Sequence, residues 1–318
     1  MCVKERSMMP VTPQAQSQSR VAVIPRTKSV RTFNVVPYLF VLPHLLFFTA
    51  FLGWPFFFGI YTSLFNYDFS DPVHRPFVGL QNYFNLFNGT SIQFGDFWRA
   101  VLNTATFIVW SVPPLVIGGL VLAVLLNSKL PGRNIFRAIY FAPWSLSAVV
   151  ASLLGWWIFQ DGGILNQTLN SSNSWLGQMP WPWFAIAATT VWWTVGFNTV
   201  IFLAALQDIP DTLYEAASMD GATFVQKFVS ITVPMLRPVI FFIVTIQIIA
   251  SANLFVQPLI ITGGGPALQT ESLIMRITTE SFGAFRMGSG AAMCVVFAAI
   301  LLILTALNFR FFGRTEQD

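Results

Sequence analysis

Six stretches of this chain are each long and apolar enough to cross a bilayer, and no other feature narrows the possible folds so far. They run over about Val35–Phe65, Asn103–Leu126, Ile135–Phe159, Trp183–Leu206, Pro238–Ile261 and Ala291–Phe311. Each is near or above the roughly 20 residues that span the hydrocarbon core. Backbone polar groups cannot stay unpaired there, so the stretches are expected to be helices. The first is longer than needed, which leaves room for tilt or for an extension past the core. Pro113 and Pro114 interrupt the second stretch and Pro143 the third, and a kink is expected at each. Composition agrees: only 9% of the 318 residues are charged, against about 25% in soluble domains. The 33 Phe and 11 Trp suit lipid contact and the membrane interface. The predicted fold class is an all-α membrane protein with six transmembrane helices.

The basic residues set the expected orientation. Thirteen fall on one side, among them Lys4, Arg31, Lys129, Arg137, Lys227, Arg237 and Arg314; four, Arg75, Arg99, Arg276 and Arg286, fall on the other. The positive-inside rule makes the first side cytoplasmic, with both termini there. The net charge of +4 follows this topology and does not point to nucleic acid. Residues 1–33 are polar and aperiodic and read as a disordered cytoplasmic tail. They do not read as a secretory signal, because the apolar run that follows is far longer than an h-region and has no small-residue cleavage site. Residues 34–312 form the six-helix domain, including a cytoplasmic loop over 207–237, and 313–318 form a cytoplasmic C-terminal tail. The outward loops are expected over about 66–102, 160–182 and 262–290. Cys2 and Cys294 lie in unlike surroundings and the two histidines, His44 and His74, are isolated, so neither a disulfide nor a metal site is expected.

The 207–237 loop is unlike the rest. It holds four of the chain's 13 acidic residues, Asp208, Asp211, Glu215 and Asp220. Asp208 is expected to cap a short helix whose first turn holds Pro210 and Asp211. Leu213, Ala216 and Ala217 share one face, and Asp220-Gly221 should stop it. A second short helix is expected from Ala222 to about Ile231, with Pro234 and Pro238 ending it and starting the fifth span. Two short helices at a sharp angle, with alanines at the bend, leave room for another protein to approach closely.

Glu215-Ala216-Ala217, then Gly221, then Ile231-Thr232-Val233-Pro234 resembles the signature loop of ABC importer permeases, with Val233 in place of the usual leucine. Asp220-Gly221-Ala222, Phe77-Val78-Gly79-Leu80-Gln81-Asn82-Tyr83 and Thr262-Gly263-Gly264-Gly265-Pro266 look like the carbohydrate-uptake branch, which contains the maltose and glycerol-3-phosphate permeases. The Gly-Gly-Gly-Pro stretch has two readings, a flexible turn or an element shaping the outward loop. The resemblance covers about residues 35–312 and implies the type I importer permease fold in a bacterial or archaeal cytoplasmic membrane. It implies a second homologous permease, a dimer of ABC ATPase subunits and an extracytoplasmic solute-binding protein as partners. By that likeness Glu215 pairs with a basic residue of the ATPase, Gly221 permits the bend, and Ala216, Ala217, Asp220 and Ala222 belong to the docking surface. No G-x-x-x-x-G-K-S/T phosphate loop occurs in the chain. No cofactor is therefore expected here, ATP and magnesium being bound by the partner, and the subunit is expected to be non-catalytic.

Polar groups at membrane depth mark the solute path. Thr189, Thr190, Trp192, Trp193, Thr194 and Asn198 precede the loop, and Gln247, Ser251, Asn253 and Gln257 follow it. Aromatic faces with amides and hydroxyls suit a sugar. In the similar maltose permease the same two helices hold the sugar, which implies Thr190, Trp193, Thr194, Phe197, Gln247 and Ser251 as contacts, with Asn253 a further candidate. The bland alternative is that these residues join helix to helix. No fixed charge lies midspan, which argues against a proton-driven secondary transporter and favours a neutral sugar over a phosphorylated polyol such as glycerol 3-phosphate. The partner permease could still supply a charge. A channel or secondary transporter would work alone, and a scaffold would show no solute dependence.

Overall fold

The computed structural model describes residues 36–68, 70–71, 73–128 and 132–312. Both predicted tails, 1–33 and 313–318, lie outside the described residues. Contacts divide the chain into two units, Met1–Phe51 and Leu52–Asp318. In the first, α1 (Val36–Phe48) contains Pro43 and runs into a π-helical turn, Thr49–Gly53.

The second unit begins with α2 (Trp54–Thr62), α3 (Gln81–Phe87) and α4 (Ile92–Asn127). Of these, α4 departs from expectation: its 36 residues start eleven before Asn103. The Ser91 hydroxyl caps it, accepting the Gln93 N–H at 3.2 Å. Its first turns carry Asp96 and Arg99, so apolar character alone could not reveal them. The helix runs on through Pro113 and Pro114 without interruption.

The third stretch, expected as one helix over Ile135–Phe159, is three pieces. The amphipathic α5 (Arg133–Phe141) gives way to a 3₁₀ turn at Ala142–Ser145, and α6 covers Ala148–Phe159. Pro143 supplies no N–H to continue α5, and Ser147 starts α6 by accepting the Val150 N–H at 3.3 Å. The short α7 (Ile164–Leu169) follows, then α8 (Trp181–Gln207), which matches its predicted span to within two residues at its start and one at its end. Next come α9 (Asp211–Met219), α10 (Phe224–Lys227) and α11 (Val233–Met235). The predicted fifth span is α12 (Arg237–Ala252) and α13 (Val256–Ile261), parted at Asn253–Phe255. After α14 (Leu273–Thr278), α15 covers Met287–Phe312. Among the described residues five helices are long and apolar enough to span a membrane, or six if Phe224–Met235 and Arg237–Ala252, bent by 66°, count as one.

The core is the packing of α4 on α8. Near the α9 end, Ala123 and Leu126 meet Phe202, Leu203 and Leu206, with Ile209, Leu236 and Ile243 beside them. Midway, Phe107 and Trp183 pack with Ile186 and Ile261. At the far end Phe97 and Ala100 lie with Leu273 and Met293. In lipid such contacts are stabilised by dispersion and close fit, because apolar tails compete equally well for the side chains. Hydrogen bonds add to them: the Asn198 amide donates to the Leu115 carbonyl at 3.2 Å, and Gln247 donates to Asn198 at 2.8 Å. The Ser111 and Ser251 hydroxyls pair at 3.1 Å.

The far end also carries a chain of alternating charges. Arg286 lies 3.7 Å from Glu280, Glu280 2.8 Å from Arg276, and Arg276 3.2 Å from Asp96. Asp96 meets Arg99 at 2.9 Å, and Arg99 lies 3.6 Å from Glu271. Asp68, paired with Arg286 through a backbone bridge, extends the series. Glu280 is only 1% exposed. The charges join the first turns of α4 to the α14 region, helped by the Asn103 amide donating to the Leu268 and Glu271 carbonyls at 3.0 Å each. Three of the four arginines expected on the outward side are thus matched by carboxylates, and the fourth, Arg75, lies 4.1 Å over the Tyr67 ring.

Candidate functional site

The loop after α8 folds differently at its start from the sequence expectation. Asp208 closes α8 instead of capping α9, and the residue before α9 is Pro210, which makes no side-chain cap. Proline there leaves Asp211 in the first turn, where its charge suits the helix N-terminus. The stop falls where the glycine predicts it: Gly221 has φ +78°, the Gly221 N–H donates to the Ser218 carbonyl at 3.1 Å, and the Ala222 N–H donates to Ala217 at 2.9 Å. The second helix starts at Phe224 instead of Ala222, because Thr223 and Gln226 form a reciprocal capping box. It continues through a π-helical turn, Phe228–Thr232, into α11, so Pro234 sits inside the helical stretch rather than ending it.

Two bonds hold the halves of this loop together. The Tyr214 and Thr232 hydroxyls meet at 2.9 Å, and the Lys227 ammonium donates to Ser218 Oγ at 2.6 Å. Ile209 is buried and Tyr214 and Ile231 pack against the α4–α8 core. Glu215 is exposed and its carboxylate has no hydrogen-bond partner among the described residues. Ala216, Asp220 and Gly221 are exposed beside it, with Ala217 and Ala222 half-buried. Sequence reasoning missed the apolar side chains on the same loop: Met219 is 89% exposed and Phe224 71%, with Val225 and Val229 nearby. Two rigid short helices therefore present an acid, small residues and an apolar rim together.

The seven residues expected along the solute path are brought together. Thr190, Trp193, Thr194 and Phe197 of α8, with Gln247 and Ser251 of α12 and Asn253 just beyond it, all line one cavity of about 310 Å³. Their polar atoms differ in availability. Gln247 and Ser251 are buried and bonded to Asn198 and Ser111, as the helix-joining alternative anticipates. The Thr190 hydroxyl donates to the Ile186 carbonyl. Trp193 donates its indole N–H to the Leu146 carbonyl at 3.1 Å, anchoring the break between α5 and α6 to α8. Gly196 allows this: a Cβ there would collide with the Tyr140 carbonyl. The break delivers a residue that sequence reasoning did not select, Trp144, whose ring stacks on Phe197 at 4.8 Å and lies 5.4 Å from Trp193. Its place directly after Pro143 was the available signal.

The Gly-Gly-Gly-Pro stretch is a bonded turn. Gly263 and Gly264 hold positive φ, and the Thr270 hydroxyl donates to the Gly265 carbonyl and pairs with Thr262 at 2.7 Å.

Comparison with known proteins adds an independent line. The family model for the binding-protein-dependent transport system inner membrane component matches residues 86–317. A probable ABC transporter permease protein, YurN of Bacillus subtilis, is 33% identical, the match covering 90% of this chain and 98% of that one. The trehalose/maltose transport system permease protein MalF of Thermococcus litoralis is 32% identical over 88% of this chain and 94% of its own. Among solved structures, the fold resembles a bacterial ABC transporter for import of the acidic polysaccharide alginate, with TM-score 0.74 and 22% identity, covering 88% and 95% of the two chains. A structure of the alginate transporter in complex with an alginate pentasaccharide-bound periplasmic protein matches with TM-score 0.74 and 23% identity, covering 89% and 95%.

Proposed function

The chain belongs to the binding-protein-dependent transport system inner membrane components, and from that premise we propose how it moves its solute. It is the membrane permease of a sugar ABC importer. ATP is bound and hydrolysed by a partner ATPase dimer, together with its magnesium, and this subunit contributes no catalytic group. The energy enters through the loop around Glu215 and Gly221. Its exposed carboxylate, small residues and apolar rim on two short, mutually bonded helices fit a groove on a basic partner surface. This is the single observation that carries the reading. Closure of the ATPase pushes on that surface, and the α4–α8 core carries the displacement to the cavity, so that this permease and a second, similar one open alternately to the two sides. The sugar arrives on an extracytoplasmic binding protein, passes between the permeases and touches the cavity beside Trp193 and Phe197. The cytoplasmic membrane is multiply crossed, with both termini on the cytoplasmic face.

The test is charge reversal at the loop. In proteoliposomes holding the assembled importer, Glu215→Lys is expected to cut sugar uptake and sugar-stimulated ATP hydrolysis at least tenfold while the subunit still inserts and purifies. Wild-type uptake with wild-type ATPase stimulation in this variant would remove the loop from coupling.

A further inference from the structure

Resting on the sugar-permease reading, we infer that Trp144 and Gln257 are solute contacts, and that their subsite takes an uncharged sugar unit. Two helix breaks contribute to the cavity lining, Ala142–Ser147 through Trp144 and Asn253–Phe255 through all of its residues. Breaks at membrane depth persist where they face a cavity or protein, and transporter sites are commonly built on them. Trp144 comes from the first break. Stacked on Phe197 and tilted against Trp193, it forms with them a cluster of three rings bordering the cavity. Aromatic clusters in a cavity wall offer apolar surface to the C–H face of a pyranose ring, and Trp193 is held in this one by its bond to the first break.

The second break supplies polar atoms that no neighbouring helix has claimed. Asn253, which lines the cavity, uses its amide N–H on the Ile249 carbonyl at 2.8 Å, and its oxygen has no hydrogen-bond partner among the described residues. Gln257 and Thr194 line the same cavity, and neither side chain has a hydrogen-bond partner among the described residues. Amides and a hydroxyl can both donate to and accept from sugar hydroxyls. None of the lining residues is Asp, Glu, Lys, Arg or His. A phosphate, sulfonate or carboxylate entering here would lose its hydration without a cation to meet it, which is costly.

Equilibrium binding to the permease–ATPase assembly in nanodiscs, without binding protein, tests this with two neutral probes, trehalose and arabinotriose, and two anionic ones, glycerol 3-phosphate and an alginate trisaccharide. At least one neutral probe should bind and both anions should not. Trp144→Ala should weaken the neutral probe at least tenfold and Trp144→Phe by no more than about threefold. Gln257→Leu, which breaks no bond to another helix, should weaken it several-fold and guards against a folding defect at Trp144. Unchanged binding in both Trp144→Ala and Gln257→Leu overturns the assignment. So does capture of an anion in preference to the neutral probes, or binding of none of the four. The complete importer with its binding protein separates this from the underlying reading. Sugar uptake that is intact and indifferent to Trp144 sinks only the subsite, whereas a wild-type assembly that imports no sugar sinks the permease reading itself.

Discussion

At the scale of single residues, two glycines hold the machinery in shape for different reasons. Gly196 is needed for space, because α8 meets the backbone of α5 at that point. Gly221 is needed for conformation: open space surrounds it, but its φ of +78° is the left-handed region. An L-residue pays roughly 1–2 kcal/mol there, a β-branched one more than most. Gly221→Val is therefore expected to leave the membrane core intact while displacing Ala222 and the capping box from α9. The outcome to look for is normal insertion and melting temperature of the membrane part, combined with at least tenfold loss of sugar-stimulated ATP hydrolysis. Gly221→Asn, which tolerates positive φ, should keep most of it. If valine were as active as asparagine, the left-handed turn would have no part in coupling.

At the scale of elements, the ion chain joins the first turns of α4 to α14 and the turn after it. Removing one partner of a buried pair leaves an uncompensated charge, which costs about 3–5 kcal/mol. Arg276→Met leaves the buried Glu280 with only the longer contact to Arg286 at 3.7 Å and half-frees Asp96, so it should lower the thermal stability of the purified chain clearly. Arg276→Met with Glu280→Met should recover part of the loss, because Asp96 keeps Arg99, and a double-mutant cycle measures that coupling. Glu271 adds a pH dependence. Burial pushes its carboxyl above the ordinary 4.5, outweighing the pull of Arg276 and Arg99. The folded state then holds a proton that the unfolded chain has released, so stability contributed by this group is highest below 4.5 and falls as pH rises through the raised value. Glu271→Gln should flatten that decline in melts taken across the acid range, and an unaltered slope would assign it elsewhere. None of this was legible in the sequence, since Asp96 and Arg99 lie far along the chain from Glu271, Arg276 and Glu280 and pair with them only once folded. What was legible followed from local chemistry for α8, to within two residues, and for the stop at Gly221, while the grouping of the seven cavity residues came from the family resemblance joined to the polar and aromatic content of the two spans. What was not legible needed a neighbour. The length of α4 was hidden by Asp96 and Arg99, Asp208 lost its capping role to the end of α8, and the break after α5 placed Trp144 in the cavity only because Gly196 admits it.

At the scale of the whole molecule, the proposed function separates the place where energy would enter from the place where the solute would pass. The coupling loop and the cavity lie at different heights of the same bundle, joined by α8, which carries Trp193 and Phe197 on its length and ends where α9 begins. The sequence holds no G-x-x-x-x-G-K-S/T phosphate-binding loop, and on the proposed reading ATP hydrolysis belongs to the partner that docks on the Glu215 loop. The chain's own core is close-packed by α4 on α8 and locked by Asn198 and Gln247, which gives it a rigid body to be moved rather than a hinge that moves itself. A rigid half-pathway has no reason to conduct unaided. Reconstituted alone in liposomes, the chain is expected to show no flux of trehalose above the protein-free leak, whether the gradient is sugar, proton or sodium. Adding the partner permease should still give none, and adding the ATPase, ATP and the binding protein should start uptake. Saturable flux by the single chain would make it a channel or secondary transporter and would reduce the Glu215 loop to a connector.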